Sequence, residues 1–209
     1  FNVADGAHVI VGARTSNYRT RTHAYNSYGA WTRTTGLLEL KDEVTPYVGF
    51  TYKLTPQLSV YASHTSLFKP QSYKDRNEQY LKPITGSASE VGIKGEFMGG
   101  LLNASGAIFQ SKQKNIAELD PSVPAGFRLG HGSQAWRAHA DGITARGLEF
   151  EVAGQLTPDW NVTAGYTYLQ AKTAKGERAV PNQPRHLLQL STAYPFRGAL
   201  QGLKMGGRM

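Results

Sequence analysis

The chain has 209 residues, 40% of them hydrophobic and only 18% charged, with 23 Gly, 11 Tyr and no Cys. That mixture excludes disulfides and thiolate metal sites, and it argues against a soluble helical domain, being rich in turn formers and poor in Ala/Leu/Glu runs. The net charge of +8 comes from Lys and Arg spread along the chain with no recognised binding signature, so nucleic acid is not expected as a partner.

Side chains that alternate with a period of two mark the strands. Residues 8–17 form the first, with Val9, Val11 and Ala13 alternating with Ile10, Gly12 and Arg14. Residues 18–43 dissolve into Arg, Thr, Tyr, Asn and Gly, a long loop. Residues 44–54 alternate more cleanly, Val48, Phe50, Tyr52 and Leu54 on one side and Tyr47, Gly49, Thr51 and Lys53 on the other. Leu54-Thr55-Pro56 makes a tight turn, because proline presets φ for the bend. Residues 58–68 run back, with Leu58, Val60, Ala62 and His64 sharing a face. A second polar loop, 69–87, precedes strands 89–97 and 101–111, joined at Gly99-Gly100. In the first of these, Val91, Ile93 and Phe97 lie opposite Glu90, Lys94 and Glu96. The longest irregular stretch, 112–142, leads to strand 143–156, where Leu148, Phe150, Val152 and Leu156 face away from Glu149 and Glu151. The turn and strand at 54–67 then recur without a gap at 156–169, an offset of 102 residues. Loop 172–184, strand 186–196 and a turn at 198–202 follow, and Leu203 begins one more strand.

Short turns and long loops alternate strictly, so all short connections lie at one end of the array and all long ones at the other. Apolar runs fall far short of the roughly 20 residues of a membrane helix. Strands of about ten residues with one apolar and one small polar face are instead the pattern of an outer-membrane barrel. Tyr52, Trp160, Tyr194 and Phe196 sit near the short turns on the apolar face, where an interfacial aromatic girdle belongs. The rival architecture, a soluble β-sandwich, does not sort its loops by length and needs larger residues on both faces. The expected fold is therefore all-β: an antiparallel up-and-down transmembrane β-barrel meander of about eight strands and part of a ninth.

Several motifs resemble the barrel of TonB-dependent outer-membrane ferric-siderophore receptors. They are the run from Val44 to Ser63 with Phe68-Lys-Pro-Gln71, Tyr80-Leu-Lys-Pro-Ile-Thr-Gly86, Glu90-Val-Gly-Ile-Lys-Gly-Glu96, Leu102-Asn-Ala-Ser105, Gly147-Leu-Glu-Phe-Glu151 and Pro181-Asn-Gln-Pro-Arg-His186. The segment from Asp75-Arg76 to Gly86 looks most like receptors for hydroxamate siderophores, of the ferric-coprogen and ferripyoverdine type. The resemblance implies a plugged barrel of about 22 strands, of which residues 1–209 would be one part, without plug or final strands. It further implies uptake of ferric siderophore, energised by TonB, in the Gram-negative outer membrane. Partners would be the ferric siderophore, TonB, the plug domain, outer-membrane lipid and lipopolysaccharide. Rival functions are a passive porin-like or structural barrel and a soluble β binding domain.

No catalytic grouping stands out, and an enzyme is not expected; Ser63 and His64 adjoin in a strand and point to opposite faces. His131, His139 and Asp141 share a loop, but solvated histidines are the plainer reading, so no metal site is assigned. No cofactor is expected either, iron arriving as ferric siderophore. Tyr47, Tyr61, Glu90, Lys94, Glu96, Glu149 and Glu151 are expected to face the lumen, chiefly as a hydrated wall. The long loops carry fifteen Lys and Arg against nine Asp and Glu, a positive mouth suited to an anionic chelate or to lipopolysaccharide. Candidate ligand residues in them are Tyr18, Arg19, Trp31, Tyr73, Arg76, Tyr80, Arg128, Trp136 and Arg137. Aromatic rings give contact area at low rotamer cost, and arginine gives paired donors.

Overall fold

The computed structural model describes residues 1–130, 132–139 and 141–209. Its strands in chain order are β1 (Asn2–Ala4), β2 (Ala7–Thr20), β3 (His23–Tyr25), β4 (Trp31–Thr34), β5 (Leu38–Lys53), β6 (Leu58–Lys69) and β7 (Ile84–Phe97). They continue with β8 (Leu102–Lys114), β9 (Ile116–Leu119), β10 (Trp136–His139), β11 (Ile143–Thr157), β12 (Trp160–Thr173), β13 (His186–Pro195) and β14 (Lys204–Arg208). Ten of these make one antiparallel sheet in the order β1-β2-β5-β6-β7-β8-β11-β12-β13-β14, a pure meander. The other four form two small hairpins, β3 with β4 and β9 with β10, inside the first and third long loops.

Register explains the two faces. Across neighbouring strands Val9 pairs with Phe50, Phe50 with Ala62 and Ala62 with Val91, which pairs with Ile108. Ile108 pairs with Leu148, and one step along β11 Phe150 pairs with Tyr166, which pairs with Leu188. One face of the sheet is therefore a continuous apolar belt. The opposite face carries the row Thr51, Tyr61, Gly92, Ala107, Glu149 and Thr167. A sandwich would hide the apolar face under a second layer. Here no described side chain is fully buried, and Phe50 and Phe150 are 41% and 56% exposed. A single belt with that much bare aromatic surface needs an apolar solvent.

The turns sort as the sequence leads one to expect. Short connections at 54–57, 98–101, 158–159 and 196–203 lie at one end, joined by one at 5–6. Thr55 organises the first of them, its Oγ1 accepting from the N–H groups of Gln57 and Leu58. At the same end Trp160 Nε1 donates to Thr192 Oγ1 (2.7 Å), and the rings of Tyr194 and Phe196 meet edge to face at 5.4 Å. Each of these aromatics shows apolar surface with a polar or quadrupolar edge, as an interfacial girdle requires.

Two differences from the sequence reading have physical causes. Strand β1 is unexpected from the sequence, because its three residues are too few to show alternation before the turn at Asp5-Gly6. At the loop end the strands run past the predicted limits: β2 continues to Thr20, β5 begins at Leu38 and β7 at Ile84. Tyr18 and Arg19 consequently lie in β2, opposite Leu40 and Glu39, and not in a loop. Beyond an apolar belt both faces are wet, so pairing persists after alternation stops.

Candidate ligand cleft at the loop end

The second long loop, residues 70–83, folds on itself. Asp75 Oδ1 accepts from the N–H groups of Asn77 and Gln79, both at 2.9 Å, which is an Asx turn. Leu81 N–H donates to the Tyr73 carbonyl at 2.9 Å, and Lys74 bridges to Tyr80. The resulting finger lies between the first and third loops. On one flank Tyr80 OH donates to the Gly36 carbonyl at 2.7 Å. On the other, Trp136 N–H donates to the Lys74 carbonyl at 2.9 Å, and Gly130 N–H donates to Glu78 Oε1 at 2.8 Å.

These contacts enclose a cleft of about 530 Å³, within the range of small-molecule sites. Its aromatic wall is Tyr73 against Trp136, ring centres 4.4 Å apart and tilted by 38°. Lys74 Nζ sits 4.8 Å from the centre of the Tyr80 ring, a cation–π contact. Arg33, Thr34 and Thr35 close the cleft from the first loop, and Leu129 and Gln134 from the third. The arrangement can hold a flat, anionic molecule by stacking and charge together.

Of the nine candidate ligand residues, Tyr73, Tyr80 and Trp136 line this cleft. Trp31 lies on β4, 61% exposed, its Nε1 donating to Thr34 Oγ1 at 3.1 Å. Arg76 and Arg137 are engaged elsewhere: Arg76 Nε is 3.8 Å from Asp120 Oδ2, and Arg137 meets Glu118 Oε1 at 2.6 Å. Arg128 bonds the neighbouring Phe127 carbonyl at 3.0 Å. Lys74 and Arg33 were not singled out from the sequence, because a cation in a polar loop carries no signal of what stands beside it. Of the three groups weighed for metal, His131 lies outside the described residues, and His139 Nδ1 accepts from Gly142 N–H at 3.2 Å.

Asp120 ties the third loop together and is nearly buried. Its Oδ1 accepts from Ser122 Oγ (2.5 Å) and Ser122 N–H (2.9 Å), bonds that hold its carboxyl below the usual aspartate range, helped by Arg76 and Arg137. A carboxyl lowered on folding contributes stability that is present above its unfolded pKa and lost as pH falls through its folded one. Amide exchange in residues 118–137 should therefore quicken as pH drops below the ordinary aspartate range, relative to the intrinsic rate. Asp120→Asn should abolish that pH dependence; an unchanged profile would count against this role.

On the polar face of the sheet, Tyr61 OH donates to Glu90 Oε1 and Lys94 Nζ lies 4.8 Å from the Tyr61 ring centre. Glu149 and Glu151 line a hollow of about 520 Å³ with Thr163, Gly165, Gln189 and Arg208. Tyr47 pairs with Thr65, and Glu96 with Asn103, in register with these rows. This hollow carries two carboxylates and one guanidinium, unlike the aromatic cleft.

Comparison with known proteins agrees with the antiparallel barrel meander. The family described as TonB dependent receptor-like, beta-barrel matches residues 1–208. A ferric-pyoverdine 358 receptor of Pseudomonas putida is 38% identical over 207 residues, which cover 99% of this chain and 24% of that protein. The ferripyoverdine receptor of Pseudomonas aeruginosa is 35% identical, with 99% and 24% covered. The chain thus spans about a quarter of the length of these relatives. Among solved structures, the alcaligin outer-membrane receptor FauA of Bordetella pertussis superposes with a TM-score of 0.80 at 35% identity, covering all of this chain and 35% of that one. The ferripyoverdine receptor of the P. aeruginosa outer membrane, bound to ferripyoverdine, gives 0.84 at 34% identity, with 100% and 26% covered. These relatives are receptors for transport, not enzymes. The chain belongs to the TonB-dependent receptor family and forms part of that family's Gram-negative outer-membrane β-barrel.

Proposed function

We propose that this chain supplies wall and mouth to a receptor that takes up a ferric siderophore of the pyoverdine class, energised through TonB. The observation that carries the reading is the three-loop cleft, where the Tyr73–Trp136 pair, Lys74 and Arg33 converge. Stacked rings accept a flat chromophore, and the cations answer the negative charge of a chelate. The names of the relatives, ferric-pyoverdine receptors, support the same class of cargo. Iron is cargo here, entering already chelated, and no resident cofactor is invoked.

In this reading the polar face of the sheet, with Tyr47, Tyr61, Glu90, Lys94, Glu96, Glu149 and Glu151, looks into the lumen and toward a plug domain. The apolar belt meets lipid, and the basic loops meet lipopolysaccharide. A passive porin-like barrel would not need an aromatic cleft closed from three loops, and a soluble domain would not bare such a belt.

Ferripyoverdine added to the intact receptor should quench tryptophan emission saturably, and Trp136→Phe should remove much of that quenching. Trp136→Ala should weaken binding by about tenfold to a hundredfold, since truncating a central aromatic anchor removes a hot spot. Unchanged emission at saturating ferripyoverdine would overturn the reading.

A further inference from the structure

Gln71 is one of two polar side chains among the described residues that are more than nine-tenths buried, only 7% exposed at the neck of the second loop. Its Nε2 donates to two backbone carbonyls, those of Lys82 and of Asn115, the latter at 2.8 Å. The first bond closes the base of the second loop, and the second fastens that base to the third loop where it leaves β8. Asn115 completes the knot. It adopts a left-handed backbone (φ 61°), which asparagine tolerates, and its side-chain Nδ2 donates to the Pro83 carbonyl at 3.1 Å. Its own N–H donates to the His139 carbonyl at 3.0 Å, reaching the far side of the β9–β10 hairpin. The Gln71 amide cannot be turned round, since its oxygen would then face two carbonyl oxygens.

We infer that Gln71 is a positioning residue that sets the spacing of the second and third loops, and through it the Tyr73–Trp136 stack. Tyr73 lies two residues beyond Gln71, and Trp136 begins the β10 strand whose end is bound to Asn115. Both rings therefore hang from one bracket at the base of their loops. Among the described residues no other side chain donates to the necks of both. The inference rests on the proposed uptake function for its ligand readout but not for its geometric one.

Gln71→Met tests it, because methionine fills a similar volume while removing both donors. In the intact receptor without ligand, tryptophan emission of Gln71→Met should differ from that of the parent. The difference should vanish when both carry Trp136→Phe. Affinity for ferripyoverdine should fall about tenfold, as expected from the loss of two hydrogen bonds. The maximal rate of uptake per folded receptor should stay unchanged. A residue that merely stabilised the fold would lower the yield of folded receptor and leave emission and affinity per folded molecule alone. Unshifted emission in Gln71→Met overturns the inference, as does a shift that survives Trp136→Phe. If the emission shifts as expected while the parent binds no ferripyoverdine, the bracket stands and the uptake reading fails.

Discussion

Phe150→Arg is expected to destabilise the barrel by about 2–4 kcal/mol, the cost of a cation at the lipid midplane of an outer-membrane strand. Phe150 lies at the middle of β11 on the apolar belt, paired with Gly106 on one side and Tyr166 on the other, and is 56% exposed. A guanidinium there has no water to meet it and no carboxylate in its register row. The neighbouring position points the other way: Glu151 pairs with Ser105 and Gly165, on the polar face that also carries Glu149. Glu151→Arg should cost less than about 1 kcal/mol, as a substitution in a solvated lumen does. Urea titration of the intact receptor refolded into lipid vesicles measures both. Equal costs would mean that the two faces see the same solvent, and the membrane assignment would fail with them.

The same contrast explains what the sequence reveals. Wherever one face meets lipid and the other water, side chains must alternate, so Val48, Phe50 and Tyr52 against Tyr47, Gly49 and Thr51 announce both strand and facing. Where both faces are wet the constraint lapses. The ends of β2 and β5 and the hairpins β3–β4 and β9–β10 are backbone pairings with no periodic signature, which is why Tyr18 and Arg19 read as loop. The cleft lies wholly in that silent region. Bulky rings in polar loops lack a core to serve, and Tyr73, Tyr80 and Trp136 stand together along the cleft. For arginine, only coordinates show that Arg76 and Arg137 stand against Asp120 and Glu118. Gln71 stands in the sequence only as the end of the Phe68-Lys-Pro-Gln71 motif, with nothing to mark its role. A single amide among polar neighbours becomes conspicuous only once its burial and its two carbonyl partners are known.

Gly147→Val should impair assembly of the barrel, while Gly165→Val should leave it intact, although both are mid-strand glycines on the polar face. At Gly147 an added Cβ would lie 2.2 Å from the Tyr168 carbonyl oxygen and 2.5 Å from the Phe109 ring. Phe109 is the register partner of Gly147 and lies over it, so the ring takes the place of the missing side chain. Tyr47 over Gly12 and Tyr61 over Gly92 repeat the device. Aromatic cover of a strand glycine restores packing that the bare backbone lacks. The Phe109 ring can swing aside, but the Tyr168 carbonyl belongs to the β11–β12 ladder and can move only by breaking it. Overpacking of this kind costs about 1–3 kcal/mol, and more where backbone must shift. At Gly165 no heavy atom stands within 4 Å of the new Cβ, because the position opens onto the hollow beside Glu151. Valine there meets water, favours the strand backbone and should change stability by no more than about 0.5 kcal/mol. Heat-modifiable mobility of the intact receptor in detergent gels separates the outcomes. Normal folding of Gly147→Val would show that β11 and β12 do not approach as closely as their register requires.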